Sequence, residues 1–143
     1  MKLLVIHGPN LNRLGEREVD IYGTLSLDDI NAKITDYAGQ KGITTHFFQS
    51  NHEGEIVDKI HEAPKDGTTG IILNGAAYSH TSVAIRDALA SVELPKIEVH
   101  LSNIHAREEF RNHSYSAAVC KGIISGFGPN SYLLAVDAFA LES

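Results

Sequence analysis

Apolar positions along the chain fall into short continuous runs, separated by stretches in which they recur every three or four residues. Leu3 to Ile6 is an apolar run that ends at His-Gly-Pro, as a buried strand closed by a turn does. Leu27, Ile30, Ile34, Tyr37 and Ala38 recur at helical spacing, with Ser26 placed as N-cap, Asp29 in the first turn and Gly42 as the stop. Ile43 to Phe48 reads as a second strand. Ile56, Val57, Ile60 and Ala63 mark a second helix ended near Pro64, and Thr69 to Leu73 a third strand. Val83, Ala84, Ala88 and Val92 mark a helix opening near Ser79 or Thr81. Ile97 to His100 and Gly122 to Gly126 are two further strands, and Ser131 to Leu141 is a closing helix.

This alternation, with strands that are continuously apolar, predicts a parallel sheet buried on both faces by helices. It fits an α/β, flavodoxin-like doubly wound fold with five parallel strands in the order 2-1-3-4-5. No repeat, low-complexity tract or linker divides the chain, so residues 1–143 read as a single domain. The long connection from Gly8 to Leu25 and the irregular stretch from Leu101 to Cys120 are the places to look for function. Arg107 to Phe110 is the part of the second stretch with room for a helical turn.

Composition narrows the class. The 143 residues carry 18 acidic against 12 basic side chains, a formal charge of −6, which argues against nucleic acid or an anionic membrane as partner. The single Cys120 excludes an internal disulfide and fits a reducing compartment. The first residues are too short for a signal h-region, and no run approaches a membrane span, so a cytoplasmic location is expected.

In an open parallel sheet, ligands bind beyond the carboxyl ends of the strands. Those ends read His7-Gly-Pro-Asn-Leu-Asn12, Asn74-Gly-Ala-Ala77 and Glu98-Val-His-Leu-Ser-Asn103. No glycine-rich nucleotide loop accompanies them. Glu98 and His100 are two apart on a strand and share a face, so the carboxylate can orient the imidazole as a general acid. A histidine capped at a strand end would look the same. Tyr22 shares its loop with Arg13 and Arg17, and a cation beside a phenol favours the phenolate, a base at neutral pH. Surface Arg–Tyr neighbours without that role are common. Arg107 and Arg111, four apart, could clamp an anionic or polyhydroxylated ligand, or form a solvated turn with Glu108 and Glu109. His80, at the start of the third helix, and Asp87, two helical turns along the same side, could meet substrate, a neighbouring subunit or each other. Asn51 to Glu55 is explained by helix capping. Eight histidines raise a metal site, yet His100, His105 and His113 lack a clear carboxylate set, and neither His-Glu-x-x-His nor a Gly-x-Ser-x-Gly elbow occurs.

Taken together, these motifs resemble the type II 3-dehydroquinate dehydratases of the shikimate and quinate pathways. The matching segments are Ile6-His-Gly-Pro-Asn-Leu-Asn12, Arg17 with Ile21-Tyr-Gly23, Gln49-Ser-Asn-His-Glu-Gly-Glu55, Asn74 to Asp87, Glu98 to Arg111, His113-Ser114, and Lys121-Gly122 with Gly126-Phe-Gly128. Two positions depart from the common pattern: His7, where many members carry Asn, and Gly75-Ala76, where Pro-Gly or Pro-Ala is frequent. The resemblance implies anti elimination of water from 3-dehydroquinate through an enolate, with no cofactor, Schiff base or metal. It makes Tyr22 the base, kept as phenolate by Arg17, and His100 the general acid, oriented by Glu98. Asn10 stabilises the enolate through a bound water. Asn74, His80, Arg111 and an Asp87 from a neighbouring subunit hold substrate hydroxyls. The backbone and hydroxyl at Leu101-Ser102 hold the carboxylate, and Arg107 closes over the site. The implied assembly is a homo-oligomer, a dodecamer of four trimers. A non-catalytic binding module on the same fold, and another lyase or isomerase acting on a cyclic polyol acid, are the alternatives; the presence of Tyr22, Arg17 and His100 disfavours the first.

Overall fold

Residues 1–16 and 18–142 are described by a computed structural model. β1 (Lys2–His7) lies between β2 (Thr44–Gln49) and β3 (Gly70–Asn74), and β4 (Lys96–His100) and β5 (Gly122–Ser125) follow β3. Among the described residues the sheet order is 2-1-3-4-5 with every pairing parallel. The helices are α1 (Val19–Tyr22), α2 (Leu27–Gly39), α3 (Glu53–Glu62), α4 (Val83–Ser91) and α5 (Asn130–Glu142).

Alternation along the inner strands feeds two cores. Leu3, Val5, Ile72 and Val99 pack against α2 and α5 through Ile30, Ile34, Tyr132 and Val136. Leu4, Ile6, Ile71 and Leu73 pack against α3 and α4 through Ile56, Ile60, Ile85 and Leu89. Each such side chain contributes about 1.5–3 kcal/mol by leaving water, and a one-residue slip would exchange the two packed faces of a strand. The expectation of strands buried on both faces holds for β1, β3 and β4. It does not hold for β2, half-buried along most of its length, or for β5, which opens on exposed Gly122 and Ile123. Both lie at sheet edges, where one flank has no strand to cover it.

Local signals explain most helix boundaries. Ser26 and Asp29 form a reciprocal capping box, each side chain accepting from the other's backbone N–H at 3.1 Å. Gly42, at φ +72°, forms the turn into β2 after α2 has already ended at Gly39. Pro64 stands within a 3-10 turn that follows α3. The helix expected to open near Ser79 or Thr81 instead starts at Val83, capped by Ser82, whose hydroxyl accepts from the Ile85 N–H at 2.9 Å. Residues Ala76–His80 are drawn into a 3-10 stretch, with Tyr78 N–H bonded to the Gly75 carbonyl. The face buried by α4 is Ile85, Ala88 and Leu89, while Val83 is exposed.

The inner strands bring His7, Asn74 and His100 to one edge, His7 opposite Asn74 in register. Just past that edge the Gly8 N–H donates to the Asn74 carbonyl at 2.7 Å. A Cβ on Gly8 would stand 2.4 Å from the Gly75 carbonyl oxygen, a backbone atom that cannot swing aside. Gly8→Ala is therefore expected to lose roughly 1–3 kcal/mol or more of unfolding free energy, as overpacked sites do. Urea denaturation checks this, and an unchanged midpoint would refute the close approach.

Candidate functional site

Two turns frame the carboxyl edge, and both hold a non-glycine residue in the left-handed region. Asn10, at φ +69°, is fixed by its N–H donating to Asn51 Oδ1 at 2.9 Å. Gln49 Nε2 donates to the same oxygen and to the Gly8 carbonyl, each at 3.2 Å. Ala76, at φ +50°, has no polar side chain to bond its own backbone and ease the conformation, and its N–H is held by Asn74 Oδ1 at 3.1 Å. Residues kept in such regions cost on the order of 1–3 kcal/mol and gather at functional sites.

Between these turns lies a cleft of about 90 Å³ lined by Asn10, Tyr22, Asn74, His80, His100, Ser102, Arg107 and Arg111, with Pro9, Leu11, Ala76, Ala77 and Ile104. At its floor, the fully buried Glu98 carboxylate accepts from His100 Nε2 at 2.7 Å, from Ser114 Oγ at 2.8 Å and from the Ser116 hydroxyl. Burial pushes this carboxyl up, but the hydrogen bond and charge of His100 and the two serine donors outweigh it, leaving Glu98 below the usual carboxylate value. With Nε2 engaged by Glu98, Nδ1 is the His100 nitrogen left to exchange a proton with a ligand.

His80 stacks near His100, ring centroids 6.0 Å apart, and its Nδ1 donates to the His113 carbonyl at 2.7 Å. Burial lowers its pKa and the His113 carbonyl opposes this; the charges of His100 and Arg111 add to the lowering, and that of Glu98 opposes it. Across the cleft Arg107 Nη1 donates to the Tyr22 hydroxyl at 2.6 Å, the guanidinium 5.3 Å from the ring centre. Glu108 reaches both arginines, at 2.9 Å from Arg111 Nε and 3.8 Å from Arg107 Nε. The hydrogen bond from Arg111 is the main cause of its lowered pKa.

Comparison with known proteins places the chain in a family. The profile of the Dehydroquinase class II family matches residues 1–140. The chain belongs to the class II dehydroquinase family. A 3-dehydroquinate dehydratase from Nitratiruptor sp. is 59% identical over 138 residues, 96% of this chain and 88% of that one. The crystal structure of a type II dehydroquinase from Butyrivibrio crossotus superimposes with a TM-score of 0.96 at 52% identity, covering 100% of this chain and 98% of the other. One from Propionibacterium acnes gives 0.94 at 44% identity, covering 98% and 96%.

In this chain the cleft unites Asn10, Tyr22, Asn74, His80, His100, Ser102, Arg107 and Arg111, with Glu98 directly behind His100. Leu101 stands in the same segment, its side chain packed in the core. Arg17 lies outside the described residues. Arg13 points its charge elsewhere, pairing on the surface with Glu16 at 2.9 Å. Among the described residues, Arg107, 85 positions along the chain, places a cation on the Tyr22 oxygen. Asp87 is exposed on α4 and is not among the residues lining the cleft; His80 precedes that helix, so the two do not share a helical face. The helical turn considered at Arg107 to Phe110 is a 3-10 turn at Glu109–Arg111. The sequence reading missed Ser116 altogether, and no spacing rule points to a serine 18 positions from the carboxylate it serves. Among the described residues no group of three or more His, Cys, Asp or Glu side chains is placed to hold a metal ion. No described helix is long and apolar enough to cross a membrane.

The depressed Glu98 carboxyl has a pH consequence. A group whose folded pKa lies below its ordinary 4.5 stabilises the fold above that value and loses the contribution as pH falls through the folded one. Glu98→Gln should be less stable than the parent at neutral pH, and the gap should narrow steadily below about pH 4.5. Denaturant midpoints at several pH values measure it. A gap of equal size at neutral and acid pH would remove the carboxylate charge from the account.

Proposed function

We propose that the cleft carries out the anti elimination of water from 3-dehydroquinate, giving 3-dehydroshikimate, with Tyr22 as base and His100 as general acid. Membership of the class II dehydroquinases supports the reaction, since relatives more than half identical along nearly the whole chain are named 3-dehydroquinate dehydratases. The observation that carries the assignment of roles is the placing of Tyr22 and the Glu98-backed His100 on one small cleft.

A proton alpha to a ketone is weakly acidic, so its removal needs a strong base and a site that stabilises the enolate. The Tyr22 phenolate takes that proton, and the electron pair of the broken C–H bond moves into the enolate. The guanidinium of Arg107 on the Tyr22 oxygen supplies positive charge where the phenolate forms, and Arg17 is assigned the same task. Asn10 stabilises the enolate oxygen through a water. The enolate then collapses to the conjugated enone as the C–O bond breaks, and His100 protonates the departing hydroxyl. Glu98 holds the imidazole and stabilises its charged form. No metal or other cofactor takes part.

Asn74, His80 and Arg111 are assigned to substrate hydroxyls. The Leu101 and Ser102 backbone, with the Ser102 hydroxyl, is assigned to the carboxylate. Asp87, exposed and outside the cleft of its own chain, can reach a substrate only from a neighbouring copy. This favours a homo-oligomer, with the dodecamer of four trimers as the proposed assembly. Exposed apolar side chains along the β5–α5 edge, Ile123, Phe127 and Leu134, provide surface that association would cover.

The deciding assay follows ultraviolet absorbance of the conjugated enone when purified protein meets 3-dehydroquinate in EDTA. A rise that survives the chelator supports the whole reading, and its absence from a folded oligomer refutes it. Tyr22→Phe should lower kcat by roughly 10²–10⁴-fold, the usual worth of general base catalysis, with KM little changed; near-normal turnover would exclude Tyr22 as base. Asp87→Asn should weaken substrate binding, and activity should elute with the oligomer on a sizing column. Fully active monomers would end the shared-site idea.

A further inference from the structure

A buried chain of hydrogen bonds leads away from the cleft. Asn74 Oδ1 accepts from the Ala76 N–H at 3.1 Å, and its Nδ2 lies 2.9 Å from the Tyr132 hydroxyl on α5. That hydroxyl is 2.9 Å from His7 Nδ1, and His7 Nε2 is 2.8 Å from Asn31 Oδ1 on α2. Tyr132 and His7 have no exposed surface and Asn74 has 3%.

One end of the chain fixes the direction of every link. The Ala76 backbone N–H can only donate, so the Asn74 atom facing it is the carbonyl oxygen and the other is the NH₂. An NH₂ group also can only donate, so the tyrosine oxygen accepts from it and turns its own proton to His7 Nδ1. That nitrogen must be the bare one, and Nε2 carries the ring proton, which it gives to Asn31. Asn74 is thereby left with one N–H and one lone pair for a ligand. A flipped amide would set its NH₂ against the Ala76 N–H, donor against donor.

We infer that His7 and Tyr132 are positioning residues: together they lock the Asn74 amide in the orientation it presents to the cleft. The inference rests on the reading above that Asn74 contacts the substrate. The groups facing His7 are Tyr132 from α5, Asn31 from α2, Asn74 beside it on β3, and the Phe47 ring of β2 stacked 6.3 Å away; none of them is charged at neutral pH. Burial in those surroundings lowers His7 to about 4, so the bare Nδ1 persists across the neutral range. A charged His7 would carry a proton on both nitrogens and leave the tyrosine hydroxyl without an acceptor.

Steady-state kinetics with 3-dehydroquinate on four variants test the inference. Tyr132→Phe keeps the ring and removes the hydroxyl, and His7→Leu removes the acceptor. Each should raise KM roughly threefold to tenfold, the worth of one hydrogen bond, with kcat changed less than about twofold. His7→Asn places a carbonyl oxygen near the Nδ1 position and should return KM to within about twofold of the parent, a rescue that a loss of packing would not give. Asn74→Ala is the reference and should raise KM at least as far as Tyr132→Phe. Long-range ¹H–¹⁵N spectra of the parent should show His7 Nδ1 bare and Nε2 protonated. The reverse tautomer overturns the inference. So does an unchanged KM in Tyr132→Phe beside a raised one in Asn74→Ala, which leaves the Asn74 contact standing. An unchanged KM in Asn74→Ala removes that contact and the positioning role with it.

Discussion

Glu98 is a carboxylate with no exposed surface, and an ion taken out of water survives only where donors replace its hydration. Three do so here: His100 two residues further along the same strand, and Ser114 and Ser116 from the connection that follows it. Much of the site's order follows from meeting that demand. The serines anchor an otherwise irregular stretch. The anchored stretch in turn holds the segment before α4, through Tyr115 N–H on the Ser79 carbonyl at 2.7 Å and the His113 carbonyl on His80. One buried charge therefore sets the imidazole of His100 directly and that of His80 through the loop.

The sheet supplies the other half of the design. Parallel strands place every carboxyl end on one side, and the short residue Gly8 lets the first turn sit against the third without displacing Gly75. The turns that result are strained at Asn10 and Ala76. Each is held by an amide side chain, Asn51 in one case and Asn74 in the other. The packed interior beneath, with leucine and isoleucine on both faces of β1 and β3, can sustain that strain because it amounts to little beside the core.

The strands, their order and the helical faces of α2 and α3 were legible in the sequence, because apolar periodicity is local and these elements obey it. The start of α4 was not: a 3-10 stretch consumed the residues that looked like its first turn, and the true cap, Ser82, has no louder signal than Ser79 or Thr81. The pairing of Glu98 with His100 was legible from strand spacing alone. Arg107 on the Tyr22 oxygen was not legible, because it comes from 85 positions along the chain. Ser116 was missed for the same reason: contacts closed by tertiary folding leave no period in the sequence.

The contact between Arg107 and Tyr22 also bears on how a substrate enters. Ligand sites generally run from roughly 300 to 1,000 Å³, and the cleft as it stands offers about 90 Å³. The two residues bridge it from opposite walls, one on the short α1 turn and the other in the connection after β4. A six-membered ring carrying hydroxyls and a carboxylate needs them to part. The walls that must stay fixed, around Glu98, His100 and Asn74, are those tied into the buried network. The walls that must give way rest on short turns, with the partly buried Arg107 and Arg111 both paired to the exposed Glu108. The site thus has one wall held by buried hydrogen bonds, around His100 and Asn74, and another held by the contact between Arg107 and Tyr22. Opening on that side breaks the hydrogen bond from Arg107 to Tyr22 and leaves in place the buried bonds that hold Glu98, His100 and Asn74.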